Sequence, residues 1–441
     1  MKKKVLSALL ITAMATSLLA GCGAKEDKTD GGAKTTEDNK TADDGSHNDV
    51  TLKTVSMFGG TDPQAEVYQG INEQFMKDND WVTIEDDSQS SDEEWKASVA
   101  ADFAVGNEPD VIQFFTDATA NDVLAANKFV TIEEIQKEYP EYAQDIKADA
   151  LAITANPDGV QRAVPTTGYW EGLFCNKDLF DQYDLELPTD WDSMVTAINT
   201  FKENGIIPIA CSLNNVPHYW IEFLMLYAAG PDEYTQIPET APEGWGKGLE
   251  TFKTLRDLGA FPEDTDTVDN DYTGQLFLNK QAAMQLDGSW FSGQITDTDN
   301  TVVVAFPGVE GQKADAGSMI GGISSGFYIT KKAWDDPDKR EAAVKFVEAH
   351  TNKDSIQKYW ESTGAIANPA AEVTAPSDLN ALQKSAMEYT NAASSISTPT
   401  DSRLGQEPYA VLTSNVVKIS TGAVSAEDVI NEALEVYTQK Q

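Results

Sequence analysis

Beyond its first four residues the chain carries no cluster of basic side chains. Lys and Arg number 32 against 72 Asp and Glu, for a formal net charge of −40. Such a surface repels polyanions, which excludes nucleic acid and anionic lipid as partners of the body. Cysteine is scarce too, with three in 441 residues, too few for a disulfide framework. Cys175 and Cys211 lie in the apolar runs 173–175 and 206–211. They are expected as buried free thiols, with a single disulfide as the other option. No cluster of His, Cys and Asp has metal-ligand spacing, and no glycine loop leads into Lys-Ser or Lys-Thr. No metal, nucleotide or other cofactor is expected.

Residues 23–49 contain no Val, Ile, Leu, Met, Phe, Trp or Tyr. Such a segment cannot bury enough apolar surface to offset its ordering entropy, and reads as a disordered tether. His47 lies in it and is expected to be inert. Before the tether, Lys2-Lys3-Lys4 precedes a mostly apolar run, Val5 to Leu19, which ends in Leu19-Ala20-Gly21-Cys22. The run is too short for a spanning helix and reads as a signal peptide. Its end looks like a bacterial lipobox, with a plain secretory signal as the other reading. The expectation is a signal peptide over 1–21 and a tether over 22–49. Cys22 would carry lipid, and the protein would sit extracellularly on the outer face of the cytoplasmic membrane, touching it through that anchor only.

The remainder, with nine Trp in a chain that is 41% hydrophobic, is long enough for two lobes with ordinary cores. Val50–Phe58 reads as a strand. A glycine turn follows, then a helix capped by Asp62 with Pro63 at its first position. Trp81–Glu85 is a second strand, Trp95–Val105 a helix stopped by Gly106, and Asp110–Phe115 an apolar strand. This β-α-β-α-β order predicts a parallel sheet with helices on both faces. Ligands bind beyond the carboxyl ends of such strands, where Asp62 and Phe115 fall. Further on, Asn214 to Trp220 mixes aromatic and polar residues on a loop after a strand, which suits carbohydrate. His218 has no evident partner there. Arg403 is the only cation of a polar loop, Ser397 to Pro408, and Glu427–Tyr437 is a closing amphipathic helix.

The stretch Leu276 to Trp290, L-F-L-N-K-Q-A-A-M-Q-L-D-G-S-W, stands apart. It begins as a helical stripe or a short strand, and Gly288 is expected to break it with a positive φ. Trp290 then stands at the mouth of an element. Burial in a core or hinge is the other reading.

Residues 279–290 resemble the motif G-K-A-A-M-x-x-x-G-x-W of the family 1 extracellular solute-binding proteins, the sugar-capture subunits of ATP-driven importers. Val164 to Phe180 resembles the family's V-P…Y-N-K-D-L-F landmark, with Cys175 in place of the usual aromatic. Pro188 to Asp192, Ile206 to Ala210, Gly321 to Ile329 and Asp336 to Phe346 match further weak motifs in family order. The resemblance implies an α/β, two-lobed, periplasmic-binding-protein-like fold of type II. Each lobe would be a central mainly parallel sheet flanked by helices. The lobes would be 50–167 plus 305–349 and 168–304 plus 350–441, joined by three crossovers near Thr167-Gly168, Val304-Ala305 and His350. It implies that Trp290 stacks on a sugar ring and that Tyr169 faces the cleft. Trp220 is expected to add a wall, with Phe115 and Asp62 opposite and Asp287 and Arg403 on the rim. Trp191 is expected to be structural, at a helix start capped by Thr189. Aromatics on several loops favour an oligosaccharide. The partners implied are importer permease subunits, and the protein itself is expected to be a monomer.

Enzyme readings compete. Gly322 to Gly326 fits G-x-S-x-G, but that nucleophile motif needs a helix after the Ser, and here a strand follows Ser324. The only later His, His350, lies on a helix whose charges place it near solvent. A surface glycoside hydrolase needs two carboxyls flanking the bond, and 72 acidic residues always offer a pair. A carbohydrate-binding adhesin would share the lipid tether, yet needs no crossovers.

Overall fold

The parallel β-α-β-α-β run forms as the hydrophobic pattern predicts, in a computed structural model that describes residues 48–440. The expected signal peptide, Cys22, His47 and the expected tether up to residue 47 lie outside the described residues, while Asn48 at its end donates to Asp338 Oδ1 (3.0 Å). Ten strands occur among the described residues: β1 (Val50–Ser56), β2 (Val82–Asp86), β3 (Val111–Phe115), β4 (Tyr169–Asn176), β5 (Ile207–Ile209), β6 (Ala282–Gly288), β7 (Thr301–Val304), β8 (Ser318–Gly322), β9 (Ser325–Ile329) and β10 (Ser395–Ser397). They make two sheets.

The first sheet has the order β2-β1-β3-β9. β1 runs parallel to both neighbours and β9 antiparallel to β3. The helices Ala65–Asp78 and Glu93–Val105 connect the parallel strands. The second helix is fixed at both ends. The Asp92 carboxylate accepts from Trp95 N, and Gly106 takes the left-handed conformation at φ 84°. The first starts later than expected. Asp62 Oδ1 accepts from Gln64 N (2.7 Å) in the turn ahead of it, but the helix begins at Ala65 with Gln64 at its cap and no side-chain cap bond.

The second sheet has the order β10-β8-β4-β6-β5, with β7 also on β4. It departs from the mainly parallel expectation. β4 is antiparallel to β6, β7 and β8, and only β5–β6 and β10–β8 are parallel. The reason is topological. β4 enters from the first sheet through a short segment, not through a helical crossover within its own sheet, and only the latter forces parallel pairing.

Alternate residues of each sheet feed a core on either face. In the first sheet Ile112, Phe114 and Tyr328 pack on one side and Val111, Phe327 and Ile329 on the other. In the second, Phe174, Val303 and Met319 oppose Leu173, Met284 and Ile320. Cys175 and Cys211 are buried free thiols, as expected. Helix Trp191–Glu203 starts with a capping box between Asp190 and Ser193, one residue on from the Thr189 cap foreseen. Trp191 packs against the second core.

The chain passes between the sheets three times, not where expected except at the first passage. That passage lies between Val164, which bridges to Phe327, and Tyr169 at the start of β4. The second lies at Gly322–Ser325 rather than 304–305, because β8 belongs to the second sheet and β9 to the first. The third lies beyond Ala371 rather than at His350, because Tyr359, Ala370 and Ala371 still pack in the first core while Leu382 packs in the second. The first two passages meet at Gly168, beside the stretch that leads into the third. The Gly168 N–H donates to Asn368 O (2.5 Å), and a Cβ there would collide with the Gly322 carbonyl oxygen and with Ile323. Trp170 Nε1 donates to Ile366 O (2.8 Å) and pins the same junction.

His350 is fully buried and stacks on Phe327 and Tyr68. Its ring nitrogens engage Tyr359 Oη (2.7 Å) and Asn72 Oδ1 (2.9 Å). Burial pushes its pKa down to about 3. It is not the solvent-side histidine that the charge pattern implied, and both nitrogens are committed, so it offers Ser324 no free base.

Candidate functional site

A cavity of about 690 Å³ lies between the two sheets, within the usual range for small-molecule sites. The carboxyl ends of β1 and β3 supply one side of it. These strands are neighbours, and the connections leaving them run to opposite edges of the sheet, so their ends open a crevice. Asp62 and Gln64 follow β1, and Phe115 and Asp117 stand at the end of β3. The other side comes from Tyr169, the loop Asn214 to Tyr219, Ser289, Trp290 and Asp401.

Trp290 sits in a 3₁₀ turn, Ser289–Gln294, just after β6. It is half-buried and forms an aromatic group with Tyr169 (centroids 5.9 Å), His218 (6.2 Å) and Tyr219 (6.3 Å). Gly288 makes this possible by a route the sequence did not signal. Its φ is −92°, ordinary extended backbone, so the expected positive φ is absent. Glycine is required because the indole folds back over it, and a Cβ would strike the six-membered ring. Asp287 stands close to the Trp290 and Tyr219 side chains, which favour its charged form. Gln285 Nε2 (2.7 Å) and Gly288 N (2.8 Å) donate to it. Burial raises the Asp287 pKa to about 6.

Phe115 shows an edge to Phe114 and carries Lys96 Nζ over its ring at 4.9 Å. Lys96 is itself paired with Glu93 (2.8 Å). Burial raises Asp62 to a pKa of about 7, and burial together with nearby Asp401 raises Asp117 to about 6. Thr167 and Ser324 both line the cavity, and Thr167 Oγ1 donates to Gln64 Oε1 (3.2 Å), so two of the passages form part of the wall. Gln406 Nε2 donates to the backbone oxygen of Glu93 (3.0 Å), itself a lining residue.

Trp290, Tyr169, Asp62 and Phe115 are thus brought to one cavity. Three other candidates are not. Trp220 is fully buried, with edge contacts to Phe261 and Phe306 at 6.0 and 6.2 Å. One residue along a helix turns the side chain by about 100°, so Tyr219 looks into the cavity while Trp220 points into the core. Arg403 binds Thr398 O (2.9 Å) and Tyr234 O (2.8 Å) and stacks on the Tyr234 ring. It holds its own loop, which carries the short helix Asp401–Leu404. Asp287 is buried behind Trp290, bonded to Gln285 and Gly288, and does not line the cavity. Residues missed from the sequence include His218, Tyr219, Asp117 and Asp401. The four-residue spacing of His218 and Glu222 was a signal for one cluster, completed by Asp401 from much later in the chain.

The family model for bacterial extracellular solute-binding proteins matches residues 71–386. A probable sugar-binding periplasmic protein of Rhizobium meliloti (strain 1021) is 22% identical over 216 residues, covering 43% of this chain and 52% of the relative. A multiple sugar-binding protein of Streptococcus mutans serotype c (strain ATCC 700610 / UA159) is 22% identical over 214 residues, covering 46% and 50%. The chain therefore spans about half the length of the curated relatives it matches. Among solved structures, a chitin oligosaccharide binding protein superposes with a TM-score of 0.74 at 20% identity, covering 85% of this chain and 95% of that one. A Bacillus licheniformis sugar transporter in complex with stachyose superposes with a TM-score of 0.68 at 17% identity, covering 89% and 100%. These likenesses establish the two-sheet fold.

Proposed function

The chain belongs to the bacterial extracellular solute-binding protein family, and on that premise we propose that it captures an oligosaccharide between its two halves and hands it to the permease subunits of an ATP-driven importer. The observation that carries this reading is the opposition across the cavity. An aromatic group centred on Trp290 offers flat apolar faces at one side, and Asp62, Gln64 and Asp117 offer fixed polar atoms at the other. A sugar presents the matching pair of surfaces, C–H faces and a hydroxyl rim. The sugar-binding names of the relatives support a carbohydrate.

The two halves act as lobes. They close as rigid bodies about the passages near Gly168, Gly322–Ser325 and the segment after Ala371, in place of the 305 and 350 boundaries expected from the sequence. Gln406 Nε2 already reaches Glu93 O (3.0 Å) from the other half. Capture runs without chemistry. Calorimetric titration against mono- and oligosaccharides, paired with scattering and a hydrolysis assay, tests this. Saturation should compact the particle and leave the sugar intact. Turnover of a bound oligosaccharide would instead favour the glycoside hydrolase.

The body acts as a monomer, held outside the cell by lipid on Cys22. No helix among the described residues is long and apolar enough to cross a membrane. One acyl chain binds only marginally, so the anchor needs more than one. Cys22→Ser should move the protein from the membrane fraction to the medium, and retention in the membrane would refute the anchor.

A further inference from the structure

At one corner of the cavity, hydrogen-bond acceptors gather without a cation to match them. His218 and Glu222 stand one turn apart on the helix His218–Ala229, and Asp401 approaches them from the loop after β10. One ligating atom from each lies within 4.8 Å of the other two. His218 and Asp401 line the cavity. Glu222 is fully buried and is held by the hydroxyls of Tyr234 (2.5 Å) and Tyr409 (2.7 Å) and by Thr400 N (2.5 Å). Behind them Glu171 is also fully buried, and neither of its carboxylate oxygens has a hydrogen bond. Its Oε1 lies 3.6 Å from His218 Nδ1, which has no hydrogen-bond partner either. Lys96 feels the Asp401 charge, but neither neighbouring cation is bonded to the three groups. Lys96 pairs with Glu93, and Arg403 faces Tyr234 and Thr398. Burial, together with Glu222 and Asp401, raises the Glu171 pKa well above the carboxylate range.

We propose that this corner receives the ammonium group of an amino sugar, with His218, Glu222 and Asp401 accepting its three N–H donors while Trp290 faces the sugar ring. An –NH₃⁺ has three donors and no acceptor. Acceptors at about 2.8 Å in a tetrahedral arrangement stand roughly 4.6 Å apart, inside the observed limit. The corner presents carboxylate oxygens and one imidazole nitrogen as acceptors. A hydroxyl, by contrast, brings one donor and leaves the negative charge uncompensated. The chain's net charge of −40 draws cations toward the mouth and repels uronic or sulfated sugars. This inference rests on the sugar-capture reading and narrows it.

Titration calorimetry in a chelator-containing buffer near pH 6.5 tests it, using matched sets: glucose, glucosamine and N-acetylglucosamine, the galactose series, and the corresponding β-1,4 oligomers. The amine should bind at least ~10-fold tighter than its hydroxyl and N-acetyl counterparts, a difference of about 1.4 kcal/mol. In Asp401→Asn the three affinities should converge to within about threefold. The wild-type comparison decides alone if that variant misfolds. Equal or tighter binding of the neutral sugars overturns the ammonium site and leaves sugar capture standing. Calcium, manganese or zinc ions, titrated alone without chelator, overturn it if they bind and the binding is lost in His218→Ala, because the corner is then a metal site. If no sugar of any kind binds, both readings fall.

Discussion

Trp290→Ala should weaken sugar binding at least ~30-fold, a loss of about 2 kcal/mol or more, and leave the melting temperature nearly unchanged. The indole is half-buried and lines the cavity with Tyr169, His218 and Tyr219, and sequence-local support holds it there. Gly288 leaves room for the folded-back ring, and Asp287 stands close to it. Truncation removes a flat apolar face from the ligand but takes little from either core, because Trp290 packs only at the edge of the second. Titration and a thermal melt on the same preparation separate the two effects. A large melting shift with intact affinity would reassign Trp290 to the core.

Much of this was legible in the sequence, and the reasons differ by element. The first sheet announced itself because its strands and helices alternate at short range and each is closed by a turn residue such as Gly106. Asp62 and Phe115 followed from that, since strand ends in a parallel sheet are site positions whatever the ligand. The passages at 322–325 and beyond 371 were not legible. Which sheet β8 or β9 joins depends on pairing with strands far away in the chain, and a short apolar run carries no mark of its partner. Arg403 misled because a lone cation in a polar loop looks free, whereas backbone carbonyls at Thr398 and Tyr234 occupy it. Asp401 was invisible for the same kind of reason. Only the fold brings it to His218 and Glu222.

Trp220→Ala should have the opposite signature to Trp290→Ala, costing about 3–5 kcal/mol of stability. The residue was expected in the ligand wall because it follows a polar, aromatic loop. However, the helix it opens is buried around its whole circumference, so no hydrophobic period says which way any one side chain points. The indole fills space between Phe261 and Phe306, and its N–H has no hydrogen-bond partner. Its contribution is therefore volume and contact, and removing it leaves a cavity that closely packed neighbours cannot fill. Against a total stability of roughly 5–15 kcal/mol, such a loss should lower the melting temperature on the order of 10 °C. Trp220→Phe should cost much less, since it keeps most of the ring and removes the unpaired donor. The folded fraction of either variant should bind sugar with nearly native affinity, because Tyr219, not Trp220, faces the cavity. A calorimetric titration in which Trp220→Phe loses affinity without losing stability would put the indole back in the wall.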